Sequence, residues 1–217
     1  MTISTEDIIN IKDSVTLDRR PVVDDVVEYL LDTLDQQDSL EYFFKDTYKK
    51  EEVKEILESA LPPSSHTEGR KHFINDMIDL GESFFHATKS KHIRLQLEVF
   101  DTDMCRLFHE DKIRQRLLCT YLGPGTEWLD HSNVLRDGLR KGCNDNIVID
   151  YQKVNKAQPF QVILLKGSLY GHDELGVVHR SPPIEKDRLT RVLFKVDEWT
   201  KKERPIPIHL TPIIGDL

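Results

Sequence analysis

Apolar positions recur along the chain with two different periods, and the change of period divides it. The run Pro21-Val-Val-Asp-Asp-Val-Val-Glu-Tyr-Leu-Leu-Asp-Thr-Leu34 sets Val23, Val26, Val27, Leu30, Leu31 and Leu34 on one stripe at helical spacing. Pro21 suits a first helical turn, where its missing backbone donor costs nothing. The same period returns from Tyr48 to Leu61 through Val53, Ile56 and Leu57, and Pro62-Pro63 stops it. After the loop Ser64-Ser65-His66-Thr67, a third helix is predicted from Glu68 to His86, burying Phe73, Met77, Leu80 and Phe84. Stripes of this kind are packing faces, so all three helices read as structure.

Near His92 the period becomes two. Ile93-Arg-Leu-Gln-Leu-Glu-Val99 alternates apolar with polar, as a half-buried strand does. Further strands are predicted at Met104–Phe108, Arg116–Leu122, Ile147–Tyr151, Phe160–Leu165, Val177–His179 and Leu189–Val196. Turn signals separate them: Gly123-Pro124-Gly125, Gly142, Asn144-Asp145-Asn146, Gly167, Gly171 and Pro182-Pro183. Many short strands with such punctuation indicate a sandwich or barrel. The expectation is an α+β chain: a helical region over residues 1–93, packed on one face of a jelly-roll over residues 94–217.

Composition narrows the setting. The 217 residues can bury a self-supporting core, and no apolar run approaches the length of a membrane span. Met-Thr-Ile-Ser-Thr-Glu-Asp lacks the basic and apolar regions of a secretory leader, so a cytoplasmic protein is expected. Cys105, Cys119 and Cys143 are too few and too widely spaced for a disulfide framework or a zinc knuckle. The net charge is −8 with both signs intermixed; Lys195–Arg204, the densest basic stretch, is interrupted by Asp197, Glu198 and Glu203. A phosphate-binding surface needs clustered cations, so nucleic acid is not the expected partner.

Candidate chemistry begins at Leu107-Phe108-His109-Glu110-Asp111. In an extended strand His109 and Asp111 project from one face. An imidazole beside a carboxylate makes two of the three ligands of a 2-His-1-carboxylate facial triad, which suits Fe(II) and leaves coordination positions open. Roughly one His-x-Asp would arise by chance in such an acidic chain. His179, ending Leu175-Gly-Val-Val-His179, offers the distant third ligand. Asp187-Arg188-Leu-Thr190-Arg191-Val-Leu-Phe194 reads as another strand, now with two arginines. An arginine inside a barrel is costly unless it meets an anion, and its fork matches a carboxylate. A metal triad followed by such a cation is what chelation of a 2-oxo acid requires.

His-x-Asp, a distal His and then Arg188-Leu-Thr190 resemble the Fe(II)/2-oxoglutarate-dependent dioxygenase superfamily, and Pro159-Phe-Gln-Val-Ile-Leu-Leu-Lys-Gly167 is similar to the strand before its distal His. Arg116-Leu-Leu-Cys-Thr-Tyr121-Leu-Gly-Pro-Gly-Thr126-Glu127-Trp128, with His179-Arg-Ser-Pro-Pro183, resembles more specifically a bacterial family known only as a domain of unknown function. The resemblance covers roughly residues 94 to 200. It implies a double-stranded β-helix with His109, Asp111 and His179 as metal ligands, and Arg188 as the anchor of the oxo acid. Arg191, on the opposite strand face, is the competing anchor, and Tyr121 would offer its hydroxyl to the co-substrate. The polar stretch Arg136–Asn146 between the ligands, and Lys166 and Lys195 beside them, have no counterpart in that pattern.

Three functions follow. The first is an oxygenase that uses Fe(II) and 2-oxoglutarate to hydroxylate a small molecule or a protein. The second is a jelly-roll using the same three ligands for Zn(II) or another divalent metal, as a sensor, a buffer or a cupin-like hydrolase or isomerase. The third is an interaction protein without metal. Glu127, Trp128 and Asn133 read as packing and turn residues or as lining of the barrel mouth. Neither the primary substrate nor the oligomeric state is legible.

Overall fold

Helical periodicity produces α1 (Asp24–Thr33), α2 (Lys50–Ala60) and α3 (Thr67–Thr88). The structure, a computed structural model, describes residues 15–36, 39–171 and 175–198. Acidic residues open α1 (Asp24, Asp25) and α2 (Glu51, Glu52), where the helix dipole favours them. α3 terminates at Lys89, whose φ of 51° is left-handed. It packs against α1 because Gly69 has no side chain: a Cβ there would lie 1.9 Å from the Asp25 carbonyl oxygen. Leu30, Phe73, Met77 and Phe84 are buried in this layer.

Ten described strands form two antiparallel sheets. The larger contains β1 (Val15–Asp18), β2 (Leu40–Lys45), β3 (His92–Phe100), β5 (Gln115–Leu122), β8 (Val162–Lys166) and β10 (Arg191–Glu198), in the order β1-β8-β5-β10-β3-β2. The smaller contains β4 (His109–Glu110), β6 (Glu127–Leu129), β7 (Asn155–Lys156) and β9 (Val178–Arg180), in the order β4-β9-β6-β7. From β3 onward the chain shuttles between the two, which gives a mixed α/β, jelly-roll-like arrangement. The side-chain period of two sorts each long strand. Leu117, Cys119 and Tyr121 of β5, with Val192, Phe194 and Val196 of β10, share a core with the helices. Leu118 and Leu193, from the other face, pack with Trp128, Ile163, Leu165 and Val177. The helix-side core is joined by aromatic edges: Phe73 meets Tyr121 at 4.8 Å and Tyr121 meets Phe160 at 5.3 Å between centroids.

Several expectations need correction. Met104–Phe108 is not a strand but a turn in which Cys105 takes a left-handed φ of 51°. Ile147–Tyr151 contributes only an isolated bridge, Val148 to Val134. The strand expected from Leu189 begins at Arg191, because a turn over Glu185–Asp187 ends with Arg188 at a φ of 52°. Within the region read as helical, β1 and β2 form the two edges of the larger sheet. Residues 172–174 and the tail beyond 198 lie outside the described residues.

Candidate metal centre

β4 and β9 pair so that His109 lies directly opposite His179, with ring centroids 4.7 Å apart. Asp111 follows just after β4, where its carbonyl accepts hydrogen bonds from the Ser168 backbone N–H at 2.9 Å and the Ser168 hydroxyl at 3.1 Å. One ligand atom from each of His109, Asp111 and His179 falls within 4.8 Å of the others. The Asp111 Oδ2 is 3.1 Å from His179 Nε2, and Oδ1 is 3.6 Å from His109 Nε2.

The other ring nitrogens set the chemistry of this trio. His109 Nδ1 is 2.8 Å from the Leu107 carbonyl oxygen and His179 Nδ1 is 3.2 Å from that of Val177. A carbonyl only accepts, so each Nδ1 must carry the proton. In a neutral ring of this tautomer Nε2 is a lone pair turned toward the carboxylate, and a proton held there instead bonds Asp111. A divalent cation among those lone pairs and the carboxylate would be bound by all three, and Nδ1 hydrogen bonds of this kind orient imidazoles for metal binding. The donor set therefore fits a divalent transition metal. Burial, and then the neighbouring His179, hold the His109 pKa below its ordinary value. Burial alone would raise the Asp111 pKa, but the His179 hydrogen bond and the charges of His179 and Arg116 hold it far below the carboxylate range. These directions keep His109 neutral and Asp111 ionised, the forms in which those two residues bind a metal.

A cavity of about 470 Å³ opens between the sheets at this point. His109, His179, Arg116, Leu118, Leu193, Phe100, Thr126 and Ser181 line it, together with Glu98 and Lys195, which pair at 2.7 Å. Behind Thr126 and Ser181 lies Arg191, with no exposed surface. Its guanidinium donates to the hydroxyls of Ser181 (2.8 Å), Thr126 (2.8 Å) and Thr120 (3.1 Å), while its Nε has no hydrogen-bond partner among the described residues. Hydroxyls offer no countercharge, and burial pushes the Arg191 pKa down to about 10. The guanidinium fork has the geometry that matches a carboxylate.

Arg188 and Tyr121 do not reach this cavity. Arg188 is exposed in the turn before β10, in a backbone conformation no strand contains. Tyr121 is one residue out of phase with Thr120, so it faces the helices and donates its hydroxyl to Asp76, which Arg20 also grips. Lys166 is buried, with its ammonium 4.5 Å from the Tyr170 ring centroid. Glu127 turns away from the cavity to bond Arg180 and Lys156; Trp128 is core; Asn133 bonds the Asp150 backbone. In the polar stretch after β6, Arg136 ties β4 to the approach of β9 through Glu110 and the Gly176 carbonyl. The sequence reading passed over Arg116, Asp197, Ser181, Thr120 and Thr126. The readable signal was inward phase: Arg191, Leu193, Lys195 and Asp197 share one face of β10, opposite Val192, Phe194 and Val196.

Residues 5–197 match the family described as Protein of unknown function (DUF1826). The chain belongs to that family. No curated protein matches this DUF1826 chain in sequence. Among solved structures, it is similar to the rice dioxygenase for auxin oxidation, with 9% identity and a TM-score of 0.52 over 90% of this chain and 76% of that one. A Pseudomonas putida prolyl-4-hydroxylase matches at 8% identity and a TM-score of 0.41, over 89% and 95% of the two chains. The Fe(II)/(alpha)ketoglutarate-dependent dioxygenase TqaL matches at 11% and 0.45, over 89% and 83%. At such identities the likeness to the rice enzyme is one of fold, shared by this DUF1826 protein and an oxygenase.

Proposed function

We propose that this DUF1826 protein is an Fe(II)- and 2-oxoglutarate-dependent oxygenase on a double-stranded β-helix. His109, Asp111 and His179 would hold the metal, and Arg191 would bind the far carboxylate of 2-oxoglutarate. The observation that carries the reading is the pairing of two features: a donor trio that can hold a cation, and beside it a buried guanidinium with hydroxyl partners and no ion-pair partner among the described residues. The shuttling of strands between sheets supports the β-helix assignment.

Bound together, Fe(II) and 2-oxoglutarate supply the oxidising power to hydroxylate a C–H bond with dioxygen. The protein's part is positional. Nδ1 hydrogen bonds fix the imidazole planes, and Arg191 with Ser181 and Thr126 would orient the co-substrate through one end. Leu118, Leu193 and Phe100 give that space apolar walls, which strengthen charge interactions inside it. The substrate would be a small molecule or a protein side chain. Cytoplasmic residence is part of this reading. No helix among the described residues is long and apolar enough to cross a membrane.

The same donors suit Zn(II) in a non-oxygenase role, so the co-substrate discriminates. Anaerobic titration with Fe(II) and then 2-oxoglutarate should produce the weak visible charge-transfer band of the chelate, absent in His109→Ala. Metal binding without that band would remove the oxygenase reading and leave the metal site; no metal binding would remove both.

A further inference from the structure

We propose that Arg116 is the positioning residue of the metal centre: it takes one oxygen of Asp111 so that the other faces the metal, while Asp197 cancels the charge it brings. The proposal rests on the metal-binding reading above.

The geometry begins with register. On β10, Asp197 lies directly opposite Arg116 of β5 on one side and Arg94 of β3 on the other. All three project into the space between the sheets. Arg116 grips Asp197 with two arms, Nε to Oδ1 at 2.5 Å and Nη2 to Oδ2 at 2.7 Å. This fixes the guanidinium plane and leaves the third arm, Nη1, directed at Asp111 Oδ2 at 2.5 Å. Arg94 holds Asp197 from the far side at 2.7 Å and reaches Glu41 of β2 at 3.5 Å. A row of alternating charge, Asp111–Arg116–Asp197–Arg94–Glu41, thus runs from the metal centre to the sheet edge.

Two consequences follow for metal binding. Oδ2 lies 3.1 Å from His179 Nε2 and Oδ1 3.6 Å from His109 Nε2. With Oδ2 already accepting from Arg116, Oδ1 would be the freer oxygen for the metal, and binding through it alone would keep further coordination positions open. A lone guanidinium beside a divalent cation would repel it, and the fully buried Asp197 neutralises that guanidinium. A lysine at 116 carries the charge but has no planar fork to bridge two carboxylates.

The test uses Co(II) as a spectroscopic probe on the full chain, in wild type, His179→Ala, Arg116→Lys, Asp197→Asn and Arg94→Lys. Wild type should bind Co(II) with visible d–d bands and His179→Ala should not. Arg116→Lys and Asp197→Asn should each weaken binding by about 10–100-fold, the range for second-sphere changes. Both should alter the band shape as the carboxylate turns. Arg94→Lys removes part of the same row without touching the unit that faces Asp111. It should lower thermal stability yet keep the wild-type spectrum, which a purely structural role for Arg116 would equally predict for Arg116→Lys. If wild type binds and folded Arg116→Lys retains its affinity and bands, this inference falls and the metal centre stands. If wild type binds no Co(II), both fall. Should Arg116→Lys not fold, the near-isosteric Asp197→Asn decides by the same two readouts.

Discussion

Arg191 is a buried cation whose three side-chain partners are neutral, an arrangement that costs stability unless an anion arrives. Replacing it with Met should therefore leave thermal stability equal to or above that of wild type. The same change should weaken 2-oxoglutarate binding by about 2–5 kcal/mol, the cost of truncating one member of a buried charge pair. Calorimetry on both variants checks this; a destabilised Arg191→Met with unchanged affinity would mean that the guanidinium serves packing alone. At this scale the sequence was partly legible. His109, Asp111 and His179 could be picked out because ligand chemistry restricts the residue types. The choice between Arg188 and Arg191 as proposed anchor could not be made, because they differ only in whether the strand has begun, and that depends on a left-handed residue no periodicity signals. Arg116 and Asp197 looked like ordinary strand and surface charges, since their burial comes from partners some 80 residues distant in sequence.

Among the elements, β6 makes a charge arrangement of its own. Glu127 lies directly across from Lys156 on β7 and from Arg180 on β9, and it bonds both. Burial pushes the Glu127 pKa up, but these two cations overcome that and hold it below its ordinary value. A depressed carboxyl contributes stability above its unfolded pKa, about 4.3, and loses that contribution as pH falls through the folded value. Glu127→Gln should cost about 1–3 kcal/mol at pH 7. That deficit should shrink toward zero as pH falls from about 5 into strong acid. Urea denaturation at pH 7 and at low pH measures it, and an equal deficit at both would exclude the linkage. The long elements were the legible ones: α1, α2 and α3 from their stripes, β3, β5 and β10 from alternation or apolar content. Strands of two or three residues, such as β4, β6 and β7, are too short to express a period at all. Met104–Phe108 looked apolar enough for a strand, yet the left-handed backbone at Cys105 forbids one.

At the scale of the whole molecule, the described residues form three unequal layers. The larger sheet is covered on both faces, by helices on one and by the smaller sheet on the other, and β10 at its centre is paired along its length with β3 and β5. The smaller sheet is built from four strands of at most three residues, and it carries both histidines. Stability is rarely uniform across such an arrangement; segments with few backbone bonds open without global unfolding. Amide hydrogen exchange should accordingly be fast at β4 and β9 and slow at β5 and β10 in the metal-free protein. Saturating Co(II) should slow exchange at β4 and β9 selectively, because binding draws together the strands that open most readily. Equal protection of β5 and β10 would show instead that the layers open as one unit. If the proposed centre holds a metal, its ligands sit on the layer expected to open first, and the rate of that opening in the loaded protein would bound how long the metal stays.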